Sequence, residues 1–102
     1  MLLFLLIIFY PFFGFAGEIY GNLNPSESEI EVQVTCNGRT QNAYTDSYGS
    51  YRLYIPQSGN CSLKVFYKNA WTRETRVDLY EKPVRYDFII KSEGNRYYLD
   101  RN

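Results

Sequence analysis

The amino-acid sequence predicts an all-β chain, a seven-stranded antiparallel β-sandwich preceded by an N-terminal signal helix. Three observations lead there. Short runs alternate apolar with polar residues, the period of two that sends successive side chains to opposite faces of a sheet. Clusters of Gly, Pro, Asn, Asp and Ser separate those runs at intervals of about 8 to 12 residues, the spacing of a sandwich or barrel. After the first 16 residues no stretch carries the helical period of about 3.6.

Those first 16 of the 102 residues stand apart. Leu2 to Ala16 is almost wholly apolar, Pro11 interrupts it, and the small residues Gly14 and Ala16 precede Gly17 where a signal peptidase would cut. Such a segment falls short of the roughly 20 residues a membrane-spanning helix needs. We expect a secretory signal peptide over residues 1–16 and a single domain over 17–102, with membrane attachment only if the first segment is retained.

The domain opens on a short strand over Glu18–Leu23 with Ile19 inward, ended by the turn Asn24-Pro25-Ser26. From Glu29 to Cys36 the alternation is clean, with Ile30, Val32, Val34 and Cys36 on one face and Glu29, Glu31, Gln33 and Thr35 on the other. Asn37-Gly38 tolerates positive φ at both positions, so it marks a two-residue hairpin that returns the chain through Arg39 to Thr45. In Thr45–Ile55, Asp46 can bond the backbone just beyond it and Gly49 can take a positive φ, which makes a tight turn. Tyr51, Leu53 and Ile55 then face inward. Asp46 and Ser47 alone offer too few oxygens for a calcium loop, which takes about six or more.

Pro56-Gln57-Ser58-Gly59 is the next turn, and Cys61, Leu63, Val65 and Tyr67 form the inward face behind it. Lys68-Asn69 turns the chain again. Trp71–Tyr80 carries Val77 and Leu79 on one side, Glu81-Lys82-Pro83 breaks it, and Val84, Tyr86, Phe88 and Ile90 mark the last clear strand. Ser92-Glu93-Gly94-Asn95 leads into a tail in which Tyr97, Tyr98 and Leu99 add an edge strand or lie over the sheet.

Cys36 closes one inward face and Cys61 opens another, so antiparallel neighbours would bring the two together. In an exported chain they are expected to form a disulfide, worth on the order of 3 kcal/mol in the chain-entropy account. For a domain this small that is a large share of the stability.

Composition excludes several functions. Eleven basic and eleven acidic residues leave a net charge of zero, and Arg52, Arg73, Arg76 and Arg85 are scattered on outward positions. That argues against a nucleic-acid footprint or a polybasic membrane patch. With no histidine, the chain can build neither a Ser-His-Asp nor a Cys-His pair, and two cysteines alone make a poor zinc set. Glu29 and Glu31 read as charge that keeps a sheet face soluble, and no Gly-rich phosphate cradle is present. The expectation is a non-enzyme without cofactor or metal.

Gly21 after a short first strand, Ile30-Glu31-Val32-Gln33-Val34, Thr45-Asp46-Ser47-Tyr48-Gly49-Ser50-Tyr51-Arg52-Leu53, Ile55-Pro56, Gly59 and Leu63-Lys64-Val65 follow a recognisable running pattern. Over roughly Gly17 to Ile90 the chain resembles carboxypeptidase regulatory-like domains, which are similar to transthyretin and, in architecture, immunoglobulin-like. The resemblance implies a non-catalytic accessory domain of the kind attached to peptidases, outer-membrane receptors or surface proteins. Standing alone, such a domain is expected to act on a separate chain or a surface. Cys36 and Cys61 lie outside the general pattern and suggest a branch adapted to an oxidising space.

Aromatic content is the remaining signal. The domain carries ten tyrosines together with Trp71, Phe66 and Phe88. Tyr51, Tyr67, Tyr86 and Phe88 fall inward, Tyr54, Phe66 and Tyr80 outward, and Tyr44, Tyr48 and Trp71 at strand ends or turns. Cross-strand pairing accounts for part of them, at roughly 0.2–1 kcal/mol a pair. Trp71 and the Tyr97-Tyr98 tail exceed that need. Tyr48, Tyr54, Phe66, Trp71 and Tyr80 are therefore the candidate binding surface, for another protein or a cell-surface component, with a glycan as the alternative ligand of an aromatic platform. The expected setting is secreted, periplasmic or at the cell surface.

Overall fold

The computed structural model describes residues 17–56 and 59–102. The expected signal helix over 1–16 and the Gln57-Ser58 part of the expected turn lie outside the described residues. Ten strands follow in chain order: β1 (Gly17–Asn24), β2 (Glu31–Cys36), β3 (Arg39–Tyr44), β4 (Ser50–Ile55), β5 (Gly59–Tyr67), β6 (Ala70–Trp71), β7 (Thr75–Leu79), β8 (Val84–Arg85), β9 (Phe88–Glu93) and β10 (Arg96–Arg101). They form two five-stranded sheets. The first runs β10-β9-β1-β4, with β8 also beside β1, and the second runs β3-β2-β5 with both β6 and β7 beside β5.

All-β architecture is therefore as expected, but the strand count and direction differ in detail. Ten strands replace the predicted seven because two runs are interrupted and the tail forms β10. Between β6 and β7, Thr72 Oγ1 accepts the Val65 N–H at 3.0 Å, while the Thr72 N–H donates to Val65 O at 2.8 Å. Between β8 and β9, the Asn22 N–H donates to Asp87 Oδ1 at 2.9 Å. In both places a side-chain oxygen takes the amide that a ladder carbonyl would otherwise accept, so the backbone need is met while the strand lapses.

The sandwich is also not purely antiparallel, since β1 runs parallel to β8 and to β9. A parallel neighbour requires a crossover, and here β5, β6 and β7 in the second sheet supply it. Register is continuous across the gap, from Tyr20↔Arg85 to Leu23↔Phe88. Gly21 lies opposite that gap, and a β-carbon on it would stand 1.9 Å from Tyr86 O, so glycine permits the approach.

The boundary of β2 moves as well. It begins at Glu31, because Glu29 has a φ of 62° and lies in a turn instead of on the outward face. Thr45 fixes this turn, accepting the Ile30 N–H at 2.9 Å and donating to Glu27 O at 2.6 Å. The following turn matches its expectation. Asp46 Oδ1 accepts the N–H groups of Tyr48 and Ser50 at 2.8 and 3.0 Å, and Gly49 takes a φ of 77°. Gly49 O accepts the Leu23 N–H at 2.8 Å, which docks the turn on β1.

Inward faces meet in one core. Ile19, Leu23, Val32, Val34, Leu63, Val65, Val77, Leu79 and Phe88 are each 1 % exposed or less. Tyr51, Tyr67 and Tyr86 are buried with them. The Tyr51 hydroxyl donates to Tyr86 O at 2.6 Å, and the Tyr86 hydroxyl accepts the Asp78 N–H at 3.0 Å, so these phenols bring their polar ends in satisfied. Cys36 and Cys61 form a disulfide with their Cα atoms 4.5 Å apart, one pair beyond Thr35↔Ser62 on the β2–β5 ladder.

Candidate binding surface

The outward face of the second sheet is built by a two-residue turn. Lys68 and Asn69 take φ values of 51° and 64°, folding β6 back on β5 so that Phe66 stands opposite Trp71. The two rings lie 5.1 Å apart between centroids with planes tilted by 58°. Lys64, two residues earlier on the same face, holds its Nζ 4.8 Å from the Trp71 ring centre.

Cross-strand register extends this face into rows. Tyr44, Glu31, Phe66 and Trp71 form the first, then Asn42, Gln33 and Lys64, then Thr40, Thr35, Ser62 and Arg76. The Thr35 and Thr40 hydroxyls are 2.9 Å apart, Asn42 Nδ2 donates to Glu31 Oε2, and Arg76 Nη2 donates to Asn60 Oδ1 at 2.9 Å. At the disulfide end a shallow hollow of about 450 Å³ is lined by Thr35, Asn60, Ser62, Glu74 and Arg76. One end of the face is thus aromatic and the other polar.

Of the five aromatic residues singled out from the sequence, only Phe66 and Trp71 come together. Tyr54, 63 % exposed, stands beside Glu18 on the outer face of the first sheet. Tyr48, 74 % exposed, sits at the tip of the β3–β4 turn. Tyr80, 58 % exposed, follows β7 at the rim of an apolar cleft with Leu79, Pro83 and Val84. The separation is topological: β4 and β5 belong to different sheets, so their outward side chains point in opposite directions.

Several residues on these surfaces were not singled out from the sequence. Asn60, Ser62 and Lys64 share the outward parity of Phe66 along β5, a signal the alternation does carry. Arg76 joins them only through the β5–β7 register, which periodicity leaves open. Tyr20 is the counterpart on the first sheet, with the guanidinium carbons of Arg52 and Arg85 at 5.1 and 5.8 Å from its ring centre. Both cations there are already engaged, Arg52 with Glu18 and Arg85 with Asp87 at 2.9 Å, so that row is internally neutralised.

Among the described residues no group of three or more His, Cys, Asp and Glu is arranged to hold a metal ion. No protein-family model and no curated protein matches the chain.

Proposed function

We propose that this protein is an exported, non-catalytic β-sandwich module that binds another protein or a cell-surface component through the outer face of its second sheet, as an accessory domain of the carboxypeptidase regulatory-like, transthyretin-like kind. The observation that carries the reading is the outward Phe66–Trp71 pair. Tyr51, Tyr67, Tyr86 and Phe88 fill the interior, so core packing does not require two further large rings on the solvent side.

Export is supported by the apolar leader pattern and by the Cys36–Cys61 bond, a linkage maintained in oxidising compartments. The family reading is supported by the Thr45–Leu53 turn, held by Asp46 and docked against β1, and by the close approach at Gly21. A non-catalytic role is supported by the absence of histidine from the sequence.

The test uses protein exported by cells that express the whole chain. Incubated with the envelope fraction of the same cells, it is expected to bind saturably, and Trp71→Ala is expected to weaken that binding while leaving the thermal melt nearly unchanged. Absence of saturable binding, or binding indifferent to substitutions across the outer face of the second sheet, would overturn the reading.

A further inference from the structure

Resting on the binding role proposed above, we infer that the outward face of β5, β6 and β7 is a glycan site. It takes a neutral, extended oligosaccharide that stacks on Phe66 and Trp71 and is hydrogen-bonded in the polar hollow around Ser62 and Arg76. The aromatic end has the form such a ligand needs. Trp71 is half-buried and Phe66 is 36 % exposed, so their mutual contact fixes ring surface that still meets solvent.

Charge decides the class of ligand. Lys64 and Glu31 flank Phe66 directly, and Glu74, Arg76 and Asp78 follow on the β7 side. The centre of a protein-binding patch is depleted of Lys, Glu and Asp, whereas here they adjoin the rings. Both signs are interleaved, and Arg76 Nε lies 3.7 Å from Asp78 Oδ1, so the face offers no concentrated field to an ionic ligand. It does offer alternating donors and acceptors, which suits a polyhydroxylated chain without charge.

Length decides its extent. Phe66 and Ser62 face the same way four residues apart on β5, a separation of roughly 13 Å along a strand. One sugar ring cannot reach both ends, but a short oligosaccharide can. Lys64 sits between them with its ammonium over the indole. Stacking of a sugar there requires the ammonium to swing aside on its flexible stem, which turns its donors toward the middle of the bound chain.

The exported protein is titrated with cellohexaose, chitohexaose, maltohexaose and mannohexaose at millimolar concentration. Trp71 is the single tryptophan, so its fluorescence reports the site directly, and amide chemical shifts locate the response. At least one sugar is expected to give a saturable change with shifts confined to β5–β7. Trp71→Ala and, independently of the rings, Arg76→Ala should each bind about tenfold more weakly by amide shifts. Tyr54→Ala, on the opposite sheet, should bind as the parent does. Failure of all four sugars, shifts confined to the first sheet, or affinity unchanged in Trp71→Ala overturns the glycan site. Envelope binding that needs Trp71 yet survives periodate oxidation of the envelope overturns it too, while leaving the broader binding role intact. Absence of both sugar binding and saturable envelope binding in the parent protein overturns both readings.

Discussion

Gly21 shows how much one missing β-carbon decides. Its backbone lies against Tyr86, and a methyl group there would press into the Tyr86 carbonyl, 1.9 Å from its oxygen. Gly21→Ala is expected to cost about 3 kcal/mol or more, because two strands must part or one must distort. A fall in the urea midpoint with an unchanged slope would register it; a variant as stable as the parent would show that the approach is dispensable. The same Tyr86 carbonyl accepts the buried Tyr51 hydroxyl. Burial, reinforced by the Asp87 charge, pushes the Tyr51 phenol well above its ordinary range. A raised phenol pKa means the folded state favours the neutral form. The stability it gives is complete below the unfolded value near 10 and is lost as pH climbs toward the folded one. Tyr51→Phe should therefore flatten the alkaline decline in stability above about pH 10. At neutral pH it should cost about 1–3 kcal/mol by removing the donor from a buried carbonyl. Urea melts across that pH range check both outcomes. The sequence places Tyr51 inward through its alternation with Arg52 and Tyr54, but names no partner for its hydroxyl, since Tyr86 is 35 residues away.

Elements differ in how much of them is legible locally. β2, β4 and β5 follow from strict alternation, and the turn between β3 and β4 follows from Asp46 and Gly49. Asp46→Ala should deprive the Tyr48 and Ser50 amides of the one oxygen that accepts both and lower stability by about 1–2 kcal/mol, measured as a shift in melting midpoint. β6 and β8 are another matter, since their ends are set by Thr72 and Asp87 side chains that accept amides of the neighbouring strands β5 and β1 in place of ladder carbonyls. No local periodicity encodes that exchange. The disulfide joins two well-predicted elements, β2 and β5, across a separation of 25 residues. Replacing both cysteines by alanine is expected to lose on the order of 3 kcal/mol, and a reductant should lower the parent's melting temperature toward that of the variant. An unchanged melting temperature in reductant would mean that the strand ladder alone fixes these two positions. By contrast Lys91, whose hydrogen bond to Asp100 raises its pKa, belongs to an exposed pair between β9 and β10, a kind of contact that adds little.

At the scale of the whole molecule, the two sheets turn four kinds of surface outward: the aromatic and polar rows of β2–β5–β7, the neutralised Arg–Tyr–Arg row of the first sheet, the β3–β4 tip, and the rim beside Tyr80. Trp71→Ala and Phe66→Ala should each cost no more than about 1 kcal/mol in stability, the scale of an exposed cross-strand pair, while removing most of the binding. A loss of stability much above that would recast the pair as structural. What the sequence by itself determined is the set of inward side chains and the turns at Asn37-Gly38 and Asp46–Gly49, because a period of two and a positive φ are local properties, and the pairing of Cys36 with Cys61, because the chain has two cysteines. Only the tertiary structure decided which outward residues share a side. Tyr54 and Phe66 have the same outward parity in neighbouring strands of the chain, yet β4 pairs with β1 and β5 with β2. Strand pairing is settled by packing between segments far apart in sequence, so alternation can say that a residue faces out, and only the assembled sandwich says beside what.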